Sequence, residues 1–321
     1  MRTYDKIKDY IGAKYLSRIA PLIGLLILSL IIYKVGPANI LDAAKNARLG
    51  YFLFLPPAVF LVFLTQTFRW YLILRQQGIT VQFSKLFKIV IVGMFYASVT
   101  PGQVGGFIKI KYLSDYSKRS LTECSSSLVV DKALDLITLC FFASVGSIII
   151  AAGSWTIVIP AFFVSILLIS SFLLYNQKGA RRLIRILPLW FIPGELKSSL
   201  SKKLSLFYAG IPARRSLLLP FILSILVWLL IYTQKFLIAR AVSIEISYFN
   251  FIFIVAMGSL AGLVPITFQG IGTKEVVLVL IFSRYSISPD KIVAMSLLSL
   301  ILCVFLPAFI GGWLNLRMDR K

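Results

Sequence analysis

Seven ionisable side chains sit where the chain is otherwise apolar: Arg69, Asp131, Lys132, Asp135, Lys235, Lys274 and Glu275. Inside a membrane span each costs about 2.5–3.5 kcal/mol, so each needs a partner or a task. Asp131 and Asp135 are spaced i,i+4 and share one helix face, where they repel unless a cation or a proton comes between them. Arg69, Lys109 and Lys274 are the candidate counter-charges, and spacing does not choose among them. Arg69 lies near an inner helix end, where its stem is expected to carry the guanidinium out to the interface. Two readings of the set stay open: buried ion pairs that hold helices in register, or a site for a charged ligand.

Two Gly/Pro-rich segments stand beside these charges. They are Thr100-Pro101-Gly102-Gln103-Val104-Gly105-Gly106 and Pro265-Ile266-Thr267-Phe268-Gln269-Gly270-Ile271-Gly272. Lys109 and Lys111 follow the first, and Lys274 and Glu275 follow the second. Lipid cannot hydrogen-bond a freed backbone, so each break must be shielded by protein or water. Paired breaks in corresponding halves point to the central site of a transporter.

A half-helix that restarts after such a break aims its first N–H groups at the bilayer centre, and two facing each other attract an anion. Glycines let a phosphate approach the backbone, and Lys109, Lys111 and Lys274 add charge. Glu275 suits the first turn of its helix, where plain capping by Thr273 and Glu275 is the alternative. The expected binding set is therefore Thr100, Pro101, Gly102, Gly105, Gly106, Lys109, Lys111, Asp131, Asp135, Pro265, Gly270, Gly272, Lys274 and Glu275.

The elements that must position these residues are membrane helices. The chain has 321 residues, 59% of them hydrophobic, with mean hydropathy +0.89. That composition indicates an all-α polytopic membrane protein formed as one transmembrane domain, residues 1–321. Runs of about 20 apolar residues predict full spans at 19–35, 51–74, 124–150, 155–175, 217–239 and 291–314. The regions 86–113 and 248–284 contain the breaks and are expected to form re-entrant hairpins. Six full spans and two inverted re-entrant hairpins make an inverted repeat of residues 1–150 and 151–321. Thr65-Gln66-Thr67-Phe68 and Thr233-Gln234-Lys235-Phe236 occupy matching places in the two halves. Residues 1–18 are polar and basic, and no cleavable signal peptide is expected there.

The net charge is +22. With the N-terminus inside and both hairpins re-entrant, 24 of the 34 Lys and Arg residues fall on inner segments. The positive-inside bias then predicts cytoplasmic termini in a multi-pass cell-membrane protein. Residues 176–216 hold nine of these basic residues against Glu195 alone, as an orientation anchor or a collecting surface for anionic lipid. The charge is thus explained without nucleic acid. There is no histidine, and Cys124, Cys140 and Cys303 show no ligand spacing. Neither a metal site nor a cofactor is expected, and most hydrolase and metalloenzyme readings lose their usual groups.

Three blocks carry a family resemblance. They are Thr100-Pro101-Gly102…Gly105-Gly106…Lys109…Tyr112-Leu113, then Asp131-Lys132…Asp135-Leu136, then Pro265…Gly270-Ile271-Gly272…Glu275. In this order and spacing, over most of the chain, they resemble the lysylphosphatidylglycerol synthase transmembrane (flippase-like) family. The resemblance implies movement of a polar-headed lipid between leaflets, with a membrane phospholipid or an isoprenoid-phosphate lipid as partner. It does not imply aminoacyl transfer, which in two-function members belongs to a separate soluble domain not expected in this sequence. A transporter is expected rather than an enzyme. Two alternatives stay open: a membrane-embedded transferase using a lipid carrier, with Asp131, Asp135 or Glu275 as base, and an accessory subunit of a separately encoded synthase. A homo-oligomer is compatible with either.

Overall fold

The computed structural model describes residues 29–30, 32–150, 165, 176, 211–262 and 270–318. The expected span at 155–175, nearly all of the basic loop 176–216 and most of the span at 19–35 lie outside them. So do Pro265 and the rest of the second break up to Gln269.

Every described element is helical. Helix α1 covers Pro37–Lys45, α2 Leu55–Gln76, α3 Phe83–Ser98, α4 Ile108–Ser117 and α5 Leu121–Ile150. Helix α6 covers Leu218–Ala241, α7 Tyr248–Ala261, α8 Thr273–Phe282, α9 Pro289–Leu300 and α10 Leu306–Met318. Short 3₁₀ turns precede α2, α4 and α6 at Leu49–Phe54, Pro101–Phe107 and Arg214–Leu217. A π-helical turn, Ile301–Phe305, joins α9 to α10. Pro307 explains that turn, because its ring nitrogen cannot donate to the carbonyl of Cys303 and the ladder must widen there.

Three helices among the described residues are long and apolar enough to cross a membrane: Leu49–Gln76, Arg215–Ala241 and Pro289–Arg317. Pro56 and Pro57 open α2, where a missing N–H costs little. The opening of α5 is fixed by a capping box. Glu123 N–H donates to Ser120 Oγ at 3.3 Å, and Ser120 N–H donates to Glu123 Oε2 at 3.0 Å. Large apolar side chains such as Phe54, Phe60, Leu218, Leu280 and Phe309 are exposed on the outside of the bundle, as a lipid-facing surface requires.

The first break turns the chain back on itself. Tyr116 of α4 lies beside Lys85 at the start of α3, with the ammonium 5.1 Å from the ring centroid. Lys109 lies against Gly93, and Gly105 against the Tyr96 carbonyl. Arms α3 and α4 are therefore antiparallel. Arms α7 and α8, on either side of the second break, are antiparallel as well. The Phe282 ring sits 5.9 Å from the Phe251 ring, Leu278 fills the space beside Gly258, and Gly262 meets Gly270.

The long elements pack reciprocally. Helix α2 runs along α6, α3 packs on α10, and α7 packs on α5. Glycine marks the closest approach in both outer pairs. A Cβ on Gly311 would collide with the Ile91 carbonyl of α3, and one on Gly146 would lie 2.9 Å from the Phe253 carbonyl oxygen of α7. Small residues let membrane helices approach this closely.

Candidate functional site

Arg69 does not reach the interface. It is 1% exposed, and its guanidinium lies between α2, α5 and α6. Nε donates to Asp131 Oδ1 at 2.7 Å; Nη1 donates to Asp135 Oδ1 at 2.5 Å and to Ser224 Oγ at 2.6 Å. The i,i+4 carboxylates on one face of α5 thus share the Arg69 cation, and snorkelling would have left Asp131 buried without one. Lys132, itself exposed, adds a longer contact to Asp135 Oδ2 at 3.3 Å. Trp228 Nε1 donates to the Asp135 carbonyl at 3.1 Å and ties α6 to the same turn.

Lys109 opens the returning arm of the first hairpin. Its stem fills the space left by Gly93 of α3, and its ammonium stands 5.9 Å from the centroid of the Trp70 ring. Asp131, Asp135, Arg69 and Lys132 are its charged neighbours. Both carboxylates are already held by Arg69, and among the described residues no carboxylate oxygen lies within ion-pair distance of Lys109. Lys111, on the opposite side of α4, helps line an open groove of about 520 Å³ with Phe107, Ile110, Leu121, Thr122 and Ser125.

The first break holds itself together. Thr100 Oγ1 donates to the Tyr96 carbonyl at 2.8 Å and accepts from Gly105 N–H at 2.7 Å. A Cβ on Gly105 would strike that carbonyl, and one on Gly106 would press on Ala97 at 3.4 Å. Both glycines therefore serve contacts within the hairpin. Pro101 and Gly102 open the 3₁₀ turn.

The second hairpin carries a separate cluster. Glu275 is 2% exposed in the first turn of α8. Its Oε2 accepts from Gly272 N–H at 2.6 Å, its Oε1 accepts from Ser296 Oγ of α9 at 2.5 Å, and Lys274 Nζ stands 3.3 Å from Oε1. Lys235 of α6 donates to Ser259 Oγ of α7 at 3.4 Å and has Lys274 and Glu275 as charged neighbours. Gly270 and Gly272 take positive φ values of 70° and 88°, the turn geometry that glycine permits.

The structure thus brings Lys109, Asp131 and Asp135 together in one cluster, and Gly272, Lys274 and Glu275 in another. Neither the groove nor the smaller cavity beside Lys235 is lined by both hairpins. Sequence reasoning missed Ser224, Ser259, Ser296 and Trp228 as partners of these charges. Serines and a tryptophan in apolar helices carry no signal until the facing helix is known. Lys235 had a signal, since it is an ionisable residue inside an apolar span. Among the described residues no group of three or more His, Cys, Asp or Glu side chains is gathered as a metal would need.

The family described as the lysylphosphatidylglycerol synthase TM region matches residues 18–311. The chain belongs to that family. It is a membrane protein with apolar transmembrane helices. A UPF0104 membrane protein of Methanothermobacter thermautotrophicus is 25% identical over 309 residues, covering 86% of this chain and 88% of the relative. A UPF0104 membrane protein of Methanocaldococcus jannaschii is 22% identical over 313 residues, covering 92% and 93%.

Proposed function

We propose that this family member moves a phosphate-bearing lipid between the leaflets of the cell membrane and recognises it through the phosphate. The observation that carries this reading is Lys109, an ammonium inside the bundle whose two nearby carboxylates are both held by Arg69. A charge so placed favours an anionic visitor. Asp131, Asp135 and Glu275 each have a protein cation already, so the phosphate and not a headgroup amine is the recognised group. The groove beside Lys111 offers apolar wall and room for the lipid on the same returning arm.

The membrane frame of this proposal is six full spans and two re-entrant hairpins, with both termini cytoplasmic. Hairpin arms α3 and α7, of 16 and 14 residues, extend roughly 24 and 21 Å, short of a hydrocarbon core about 30 Å thick. Antiparallel arms of that length suit a return to the side of origin. The reciprocal packing of α3 on α10 and α7 on α5, about a central α2–α6 pair, suits inverted halves at 1–150 and 151–321. In this reading Lys109 meets the phosphate inside the bundle, and Lys111 lines the groove on the other side of the same arm.

The test is reconstitution in sealed vesicles with fluorescent phosphatidylglycerol or a fluorescent isoprenoid phosphate, read by quenching from outside. The protein should accelerate exchange for at least one of them, and Lys109→Ala should slow it about tenfold or more, equivalent to ~1.4 kcal/mol of lost recognition. Exchange no faster than in empty vesicles for both lipids would overturn the proposal. Headgroup modification on adding a donor would favour a transferase instead.

A further inference from the structure

A second charge imbalance lies away from the groove. Between α6, α7, α8 and α9 is a cavity of about 10 Å³, enough for roughly one small occupant. Lys235, Ser259, Lys274, Ser296 and Ser299 form its polar wall, and Met295 and Leu278 help close it.

Two ammoniums and one carboxylate meet there. Lys274 has Glu275 at 3.3 Å. Among the described residues Lys235 has a neutral hydroxyl, at 3.4 Å, and no carboxylate within ion-pair distance. Glu275 cannot turn to serve both, because Gly272 N–H and the Ser296 hydroxyl already hold its two oxygens. A net positive charge therefore remains on a wall from which most water is excluded, where an unmatched ion is costly. A space of about 10 Å³ favours a small occupant over a phosphate or a carboxylic acid. The charge disfavours a metal cation. The hydroxyls of Ser259 and Ser299 now donate to the Val255 and Met295 carbonyls at 2.8 and 2.7 Å, and each can rotate toward an acceptor in the cavity.

We propose that this cavity binds one monovalent inorganic anion of halide size, chloride in practice, as the counter-ion of Lys235. The site joins the helix that carries Lys235 to both arms of the second hairpin and to α9, so its occupant ties four elements together. It needs nothing from the lipid reading and survives that reading's failure.

Thermal unfolding of the purified full chain in detergent tests it, in chloride against gluconate at equal ionic strength. The midpoint should rise saturably with chloride, by about 2 °C at ten times the dissociation constant. Bromide should replace chloride, while sulfate and phosphate should not. Lys235→Met should abolish the dependence and, in gluconate, melt no lower than the unaltered chain. Should Lys235→Met fail to accumulate, Ser299→Leu, which fills the cavity, should abolish the dependence instead. Equal midpoints in chloride and gluconate would mean that the cavity holds water only and would overturn the site. So would a chloride effect that persists in both variants.

Discussion

The two hairpins share a form, and the charge clusters beside them differ. Beside the first, the carboxylates belong to α5 and the cation to α2, so the ion pairs join residues 62 and 66 positions apart in sequence across two helices that flank the hairpin. In the second, Glu275 is held by the backbone of its own helix start, by its neighbour Lys274 and by one serine of α9. The first arrangement is a latch between helices, and the second is mainly a fixed turn. Each leaves one lysine over. Lys109 stands on the arm that carries an open groove, while Lys235 faces a space for one small occupant. The two lysines thus differ in the space near them: an open groove of about 520 Å³ on the arm that carries Lys109, and a cavity of about 10 Å³ at Lys235.

The largest effect should come from breaking the latch. Arg69→Met leaves Asp131 buried without a cation and should destabilise the protein by about 3–5 kcal/mol. Adding Asp131→Asn and Asp135→Asn should recover much of that loss, because the buried charges then leave together. Melting in detergent measures both. A single variant no less stable than the unaltered chain would show that the ion pairs do not hold α2, α5 and α6 in register.

Glu275→Gln should cost less, about 1.5–3 kcal/mol, because a neutral amide oxygen can still accept from Gly272 while the charge-assisted bonds weaken. If it costs as much as Arg69→Met, the second cluster is also a latch between helices and the contrast between the hairpins disappears. Gly93→Ala sharpens the contrast in the other direction. Its methyl would enter the space of the Lys109 stem and push the ammonium from its place beside Trp70, a flexible displacement. Melting should change by less than about 1.5 kcal/mol, whereas lipid exchange should fall toward the Lys109→Ala rate. Unchanged exchange would show that the placement of Lys109 does not matter.

What could be read beforehand follows from the range of each interaction. The spans expected at 51–74, 217–239 and 291–314 appear as Leu49–Gln76, Arg215–Ala241 and Pro289–Arg317, because membrane helices are written in local hydropathy. The fold-back after Ser98 was legible in Thr100-Pro101-Gly102, since proline and glycine act on their own backbone. The i,i+4 spacing of Asp131 and Asp135 put them on one face but could not name their cation. That depends on how α2 rotates about its axis, which many side chains decide together. Arg69 was therefore expected at the interface and lies in the core. The same limit hid Ser296 from Glu275 and Ser259 from Lys235. The π-turn at Ile301–Phe305 was missed although Pro307 announced it, because the surrounding hydropathy runs through without a dip.

The smallest expected effect lies at the exposed start of α5, where the latch helix begins. Hydrogen bonds from the Ser120 hydroxyl and backbone N–H hold the Glu123 carboxyl below the usual carboxylate range, with burial opposing only weakly. A depressed folded-state value means that Glu123 binds its proton more readily when the chain unfolds. Its contribution is therefore complete above the ordinary carboxylate range and is lost as pH falls through the lower folded-state value. Solvent screens this site, so the cap should be worth less than about 1 kcal/mol. Melting of the unaltered chain and Glu123→Gln should differ slightly near neutral pH and converge on acidification. Ser120→Ala should reduce the pH-dependent difference. Since α5 also supplies Asp131 and Asp135, loss of the cap should leave the Arg69 ion pairs intact if the latch is held by its own contacts. A cap variant as damaging as Arg69→Met would instead mean that the register of α5 is set from its end.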